Sequence, residues 1–220
     1  MQDIIQRTLE KLPFYPKLSA NEKDLLQAQA TLVNYKKRTI IYNNSVECLG
    51  VLILKKGCLR TYMLSEQGRD ITLYRLYPND ICIQSASCLL KNITFDVSIE
   101  AEEDSQAVLL NSLMFSKLME KNVYVENFSY KITIDKFSEV MWTMEQILFM
   151  SFDQRLAVFL LEESEKTKSD SIELTHAQIA KYMGSAREVV SRMLKRFEAD
   201  GLVKLTRGGI LLLNKKRLIF

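Results

Sequence analysis

The stretch THAQIAKYMGSAREVVSRMLKR, from Thr175 to Arg196, constrains this chain more than any other. Its apolar residues fall on one side only if it forms two short helices with a sharp break at Gly184. Ile179, Ala180 and Met183 line one side of the first helix; Val189, Val190, Met193, Leu194 and Phe197 recur at three-and-four spacing in the second. Gly184 can take the positive φ that a tight exit needs. Capping-box spacing occurs twice, at Thr175/Gln178 and at Ser185/Glu188. The second helix then shows Arg187, Glu188, Ser191, Arg192 and Lys195 on its other face. This is the sequence form of a helix-turn-helix. Such a polar face suits the DNA major groove, where Arg pairs bidentately with guanine and Glu accepts from cytosine N4. A basic helical face can equally be a solvated surface, and Glu188 can be spent on its capping box.

The residues after the second helix favour the DNA reading. Asp200-Gly201 ends the helix, and LVKLT and ILLLN are strand-like runs separated by Arg207-Gly208-Gly209. That is a hairpin signal, and a helix-turn-helix followed by a basic hairpin is a winged helix-turn-helix. Charge is unevenly placed as well. Net charge is only +3, yet ten Lys/Arg against five Asp/Glu from Asp170 onward leave that end at +5 and the rest at −2. Positive charge gathered there is the footprint of phosphate contacts. Lys215, Lys216 and Arg217 extend this surface or simply solubilise the C-terminus.

The segment LTHAQIAKYMGSAREVVSRMLKRFEADGLVKL resembles the DNA-binding end of the Crp/Fnr family of bacterial transcription regulators. It carries that family's Arg-Glu-x-x-Ser-Arg pattern in Arg187, Glu188, Ser191 and Arg192. The resemblance implies that these four read base edges in palindromic half-sites of TGTGA or TTGAT type, with Arg187 and Arg192 together leaning toward TGTGA. Thr175, Ser185, Lys195 and Arg207 are the expected phosphate contacts. The implied partners are double-stranded DNA, a second copy of the chain and RNA polymerase. Activation is the expected sense of control, although the residues leave repression open.

The chain has 220 residues, 47% of them hydrophobic, enough for a sizeable core and about two domains. After a helical start over 21–30, short runs at Thr39–Tyr42, Gly50–Leu54, Cys58–Leu64, Ile71–Tyr77, Val97–Ala101 and Ala107–Leu110 read as strands. Glu66-Gln67-Gly68 and Pro78-Asn79-Asp80 mark turns between them. This pattern suggests an antiparallel jelly roll. The run LKKGCLRTYMLSEQGRDITLYRLYPND also resembles the family's cyclic-nucleotide-binding barrel. The expected class is α+β: an N-terminal jelly roll over 1–124, a dimerisation helix over 125–151 and a winged helix-turn-helix over 152–220.

One stretch departs from the family. Cyclic-nucleotide binders of this fold carry Gly-Glu-Leu and then an Arg followed by Ser, Thr or Ala, for the ribose and the phosphate. Here CIQSASCLLKNITFDVSIEAE has neither, and Asp96 falls near the place of the cation. A buried phosphate beside a carboxylate and without an Arg is strongly disfavoured, so cyclic AMP is not the expected effector. The pocket assigned to the unidentified effector comprises Cys82, Gln84, Ser85, Ser87, Cys88 and Asp96.

Cys48, Cys58, Cys82 and Cys88 all lie in the barrel region. They lack Cys-x-x-Cys spacing and the N-terminal cluster of the family's oxygen sensors. Packing is the expected role and no cofactor is called for; a redox thiol or iron–sulfur centre stands as the alternative, as does a barrel that has lost its ligand. The apolar stripe Phe137, Val140, Met141, Met144, Ile147 and Leu148 on a helix over 125–150 is the expected dimer interface. Trp142 on the same helix is read as packing, Phe152-Asp153 as a hinge, and Asp153 as the cap of the next helix.

No run approaches ~18 apolar residues and no signal-peptide layout opens the chain, so a cytoplasmic location is expected. A cupin-like enzyme is the competing use of a jelly roll. It needs two or three histidines, whereas the single histidine here, His176, lies in the helix-turn-helix. Nor is there a Walker-type phosphate loop, so no enzymatic activity is expected.

Overall fold

A computed structural model describes residues 2–43, 50–66, 68, 70–83 and 97–218. The chain forms two compact units, Met1–Leu64 with Leu73–Val140, and Ser65–Thr72 with Met141–Phe220.

The first unit opens with α1 (Gln2–Leu9) and α2 (Ala20–Ala28). Ser19 caps α2 in a reciprocal capping box with Glu22, and the Ser19 N–H donates to the Glu22 carboxylate at 2.7 Å. Strands β1 (Ala30–Tyr35), β2 (Ile40–Tyr42), β3 (Gly50–Lys56), β4 (Leu59–Leu64), β5 (Asp70–Leu76), β6 (Ile81–Cys82), β7 (Ser98–Ala101) and β8 (Ser105–Asn111) come next along the chain. They form two four-stranded sheets, ordered β1-β8-β3-β6 and β2-β7-β4-β5.

Strand alternation explains how the sheets are buried. On β3, Leu52 and Leu54 point into the cluster shared with Leu59, Ile99, Ala101 and Ala107, which is the barrel interior. Val51 and Ile53 point the other way, onto α1, α2, α3 (Ser112–Lys121) and the start of α4 (Val123–Phe149). β3 is therefore apolar on both faces. Strand β1 escapes a pattern search because ATLVNY is a mixed run with most of its side chains part-exposed. It is held by six antiparallel pairings to β8.

In the second unit α5 (Phe152–Thr167), α6 (His176–Met183) and α7 (Arg187–Ala199) enclose a core of Leu156, Leu160, Ile179, Val190, Leu194 and Phe197. The hairpin of β10 (Val203–Thr206) and β11 (Gly209–Leu212) closes it, with β9 (Ser171–Ile172) pairing on the far side of β11. A short α8 (Lys215–Leu218) comes last. Gly209 is required by close approach: a Cβ there would lie 2.4 Å from the Ile172 carbonyl oxygen.

Two local assignments differ from the sequence expectation. Asp153 does not cap α5; Ser151 does, its N–H donating to Gln154 Oε1 at 3.0 Å and its hydroxyl donating to the Asp153 carboxylate. The Ser151 hydroxyl is the main cause holding the Asp153 carboxyl below its usual range. Phe152 and Asp153 are already helical, so the break in the chain falls at 150–151. Likewise Ser185 is not the cap of α7. Ala186 occupies that position and has no capping side chain.

Candidate nucleic-acid interface

The turn between α6 and α7 is built as its residues dictate. Thr175 accepts from the Gln178 N–H at 3.2 Å, and the Thr175 N–H donates to Gln178 Oε1 at 2.9 Å. Gly184 ends α6 at φ 59°, a left-handed conformation that any Cβ would strain. With Ile179, Ala180 and Met183 buried against Val190 and Leu194, only one face of α7 remains outward.

That face is the predicted one. Arg187, Glu188, Ser191, Arg192 and Lys195 line a single open groove along α7, at the spacing of successive turns. Arg187, Glu188, Arg192 and Lys195 are exposed, and Ser191 is half-buried. Glu188 is not spent on a capping box, because Ala186 takes the N-cap, so its carboxylate is open to the groove. Arg196, one residue past this face, lies 4.0 Å from Asp153 and 3.9 Å from Asp200 and ties α7 to α5.

Of the remaining expected contacts, Thr175 and Arg207 are exposed and Ser185 is half-buried. Arg207 sits at the tip of the β10–β11 hairpin, which α7 supports: the Leu205 N–H donates to Glu198 Oε1 at 2.8 Å. Lys215 is paired with Asp170, while Lys216 and Arg217 are exposed. His176, the first residue of α6, lies close to this surface. Partial burial first, and then the charges of Arg187 and Lys195, hold its imidazole below the usual histidine value.

α4 carries a second outward face. Val123, Asn127, Tyr130, Ile134, Phe137, Met141, Met144 and Leu148 recur at alternating four-and-three spacing, and all are exposed. Phe137 is 60% exposed and Leu148 66%. This stripe begins two heptads earlier than the one expected from sequence and includes Tyr130 and Ile134, which that one omits. Val140 lies off it and packs against the barrel cluster instead. Ile147 and Trp142 are exposed beside it.

In the barrel, Cys82 is buried at the end of β6; Gln84, Ser85, Ser87, Cys88 and Asp96 lie outside the described residues, as does Cys48. Burial and the nearby Glu102 carboxylate, 3.6 Å from its sulfur, push the Cys58 thiol far up. Among the described residues no group of three His, Cys, Asp or Glu is arranged to hold a metal ion. Two polar features escape a sequence search because each joins distant segments. Arg60 is fully buried beside its cross-strand partner Glu100, with its guanidinium 4.5 Å from the centre of the Tyr62 ring. The Lys136 ammonium of α4 lies 4.8 Å from the centre of the buried Tyr74 ring and 2.7 Å from Glu139.

Comparison with known proteins decides the family. The profile of the Crp-like helix-turn-helix domain matches residues 154–219, and that of the cyclic nucleotide-binding domain matches residues 32–122. A Crp/Fnr-family transcriptional regulator from Eubacterium rectale, known as a crystal structure, is 43% identical. It superposes with a TM-score of 0.87 over 94% of this chain and 95% of its own. This chain belongs to the Crp/Fnr family.

Two curated relatives span nearly the same length. The regulatory protein HlyX of Actinobacillus pleuropneumoniae is 24% identical over 93% of this chain and 86% of its own. An anaerobic regulatory protein of Bacillus subtilis is 21% identical over 90% and 86%. As a Crp/Fnr protein the chain is a DNA-binding transcription regulator, and regulators of this family act as dimers. These relatives are not enzymes. Among the described residues no helix is long and apolar enough to cross a membrane.

Proposed function

We propose that this Crp/Fnr regulator reads a palindromic operator of TGTGA- or TTGAT-type half-sites as a homodimer. Arg187, Glu188, Ser191 and Arg192 contact base edges, and Thr175, Ser185, Lys195 and Arg207 contact phosphates. The observation that carries this reading is the outward face of α7, on which Arg187, Glu188, Arg192 and Lys195 are exposed together opposite a buried apolar face. The four-and-three stripe of α4 supplies the two-fold contact, so the recognition helices meet half-sites about 34 Å apart. Residues 1–124 then act as the sensor, 125–151 as the dimerisation helix and 152–220 as the reader. Bound to its operator, the dimer acts on RNA polymerase as an activator.

The sensor takes a small effector other than cyclic AMP. The stretch CIQSASCLLKNITFDVSIEAE supports this, since its sequence offers no Arg to an anionic phosphate and carries Asp96 near the position where the family has its cation. The buried, poorly acidic Cys58 gives no support to a redox thiol at that position. The experiment is selection of a random duplex pool by the purified protein, with radiolabelled cyclic AMP binding measured in parallel. A two-fold symmetric sequence should be enriched, and micromolar cyclic AMP should not be retained. An unenriched pool sinks the DNA reading; saturable cyclic AMP binding overturns the effector reading.

A further inference from the structure

Written as heptads, α4 carries more than an apolar stripe. Setting Val123 at position d places Asn127, Ile134, Met141 and Leu148 at a. Burial fixes this phase independently. Val125 and Ile132 at f and Ser129 at c pack into the protomer, and Lys136 at c reaches over the Tyr74 ring, whereas the a and d positions are exposed. Asn127 is the one amide among those a and d positions. The other polar group there, the Tyr130 hydroxyl, donates to Glu126 Oε1 at 3.4 Å and so holds that carboxylate beside the stripe. Glu126 falls at g and Lys131 at e, five residues later. Asn127 and Lys131 are exposed, and among the described residues neither has a side-chain partner within its own chain.

We propose that Asn127, flanked by Glu126 and Lys131, is a pairing code that selects a second copy of this chain, parallel and in register, as the occupant of the stripe. The inference rests on the reading of α4 as the two-fold contact and adds the residues that set its partner, direction and alignment.

The argument is one of complementarity. An amide covered by a second helix loses its water and must find a hydrogen-bond partner. In a parallel, in-register pair the group facing it is the same amide of the second copy, which can both donate and accept. In an antiparallel or slipped pair it faces an apolar side chain. The flanks select the same arrangement. Parallel helices set g of one against the following e of the other, so Glu126 meets the second copy's lysine, twice per dimer. Exposed ion pairs are individually weak, so these serve selection more than strength. Alignment matters to the reader, because a slip of one heptad displaces one protomer by about 10 Å along the helix axis and destroys the two-fold match to a palindrome.

The test is the dimer Kd of the full-length protein by sedimentation, at low and at high salt. Glu126→Lys and Lys131→Glu should each weaken self-association by about 3- to 30-fold at low salt, with the difference shrinking at high salt. An equimolar mixture of the two should form heterodimers about as tight as the wild type, because every g–e contact is again of opposite sign. The double variant Glu126→Lys, Lys131→Glu should likewise recover the wild-type Kd. Asn127→Val should associate more tightly and show species beyond the dimer in native mass spectrometry. Neither mixing nor the double variant restoring the dimer overturns the flanking pairs, and an Asn127→Val variant that stays purely dimeric with an unchanged Kd overturns the role of the amide. Both results leave α4 as the dimer helix. A wild type that stays monomeric even on its operator overturns that reading as well.

Discussion

At the residue scale, roles on α7 are separated by whether a side chain carries sequence information. Arg192 projects from the middle of the groove, where a guanidinium can pair bidentately with guanine. Arg192→Ala should cost about 1–3 kcal/mol on the selected operator and relax base preference at one position of each half-site. Quantitative binding to single-substituted operators checks this; an equal loss on unrelated duplexes would refute the base-reading role. Lys195, at the far end of the groove, should behave oppositely. Lys195→Ala should weaken all duplexes alike and reduce the slope of log K against log salt by about 0.9 per protomer. A change confined to one operator sequence would reassign it as a base reader. Both arginines and Glu188 were legible in the sequence because helical spacing alone sorts residues onto faces. The Ser185/Glu188 capping box was not, because S-x-x-E spacing also fits a helix that starts one residue later. With Ala186 at the N-cap, Glu188 is left to the groove.

At the scale of elements, α4 shows how a helix with one face packed and one face open distributes its apolar residues. Its buried side, Val125, Ser129 and half-buried Ile132 and Val140, faces the barrel; its other side is the four-and-three stripe. Apolar residues on both sides blur the periodicity. Hydrophobicity alone therefore grouped Val140 with the stripe and passed over Tyr130 and Ile134; burial sets Val140 against the barrel and leaves Tyr130 and Ile134 exposed. A charge placed on the stripe should be tolerated by the folded protomer, where Phe137 and Met141 are exposed, but not by the dimer. The double variant Phe137→Glu, Met141→Glu should run as a monomer in sedimentation and keep its far-ultraviolet spectrum. Its operator affinity should fall by about 10²-fold or more, as one half-site is lost. A variant that remains dimeric would exclude this stripe as the two-fold contact. The same burial logic explains the strands. β3 was easy to find because GVLIL is apolar on both faces, whereas β1 is held by pairing to β8, which its own composition does not announce.

For the whole molecule, the output end is written in local sequence and the input end is not. A winged helix-turn-helix is assembled from contiguous residues, so caps, turn glycine and polar face appear in order. The sensor interior is assembled across strands: Tyr74, Lys136 and Arg60 acquire their neighbours only when β4, β5, β7 and α4 come together. The link between the two ends is thermodynamic. An effector controls transcription here only if it binds the DNA-competent state more tightly, and a ligand with equal affinity for both states shifts nothing however tightly it binds. The coupling is also reciprocal: the factor by which the effector tightens operator binding must equal the factor by which the operator tightens effector binding. A screen of small metabolites for a raised melting temperature should find ligands of the native state, since such a ligand at 100 times its Kd adds about 2.7 kcal/mol. Among these hits, the regulatory one is recognised by titrating it with and without saturating operator. Its Kd should change by the fold measured for the operator, typically about 5- to 150-fold. A hit whose Kd is the same in both titrations stabilises the sensor without controlling the reader, and a screen yielding only such hits would make the barrel a dimerisation scaffold.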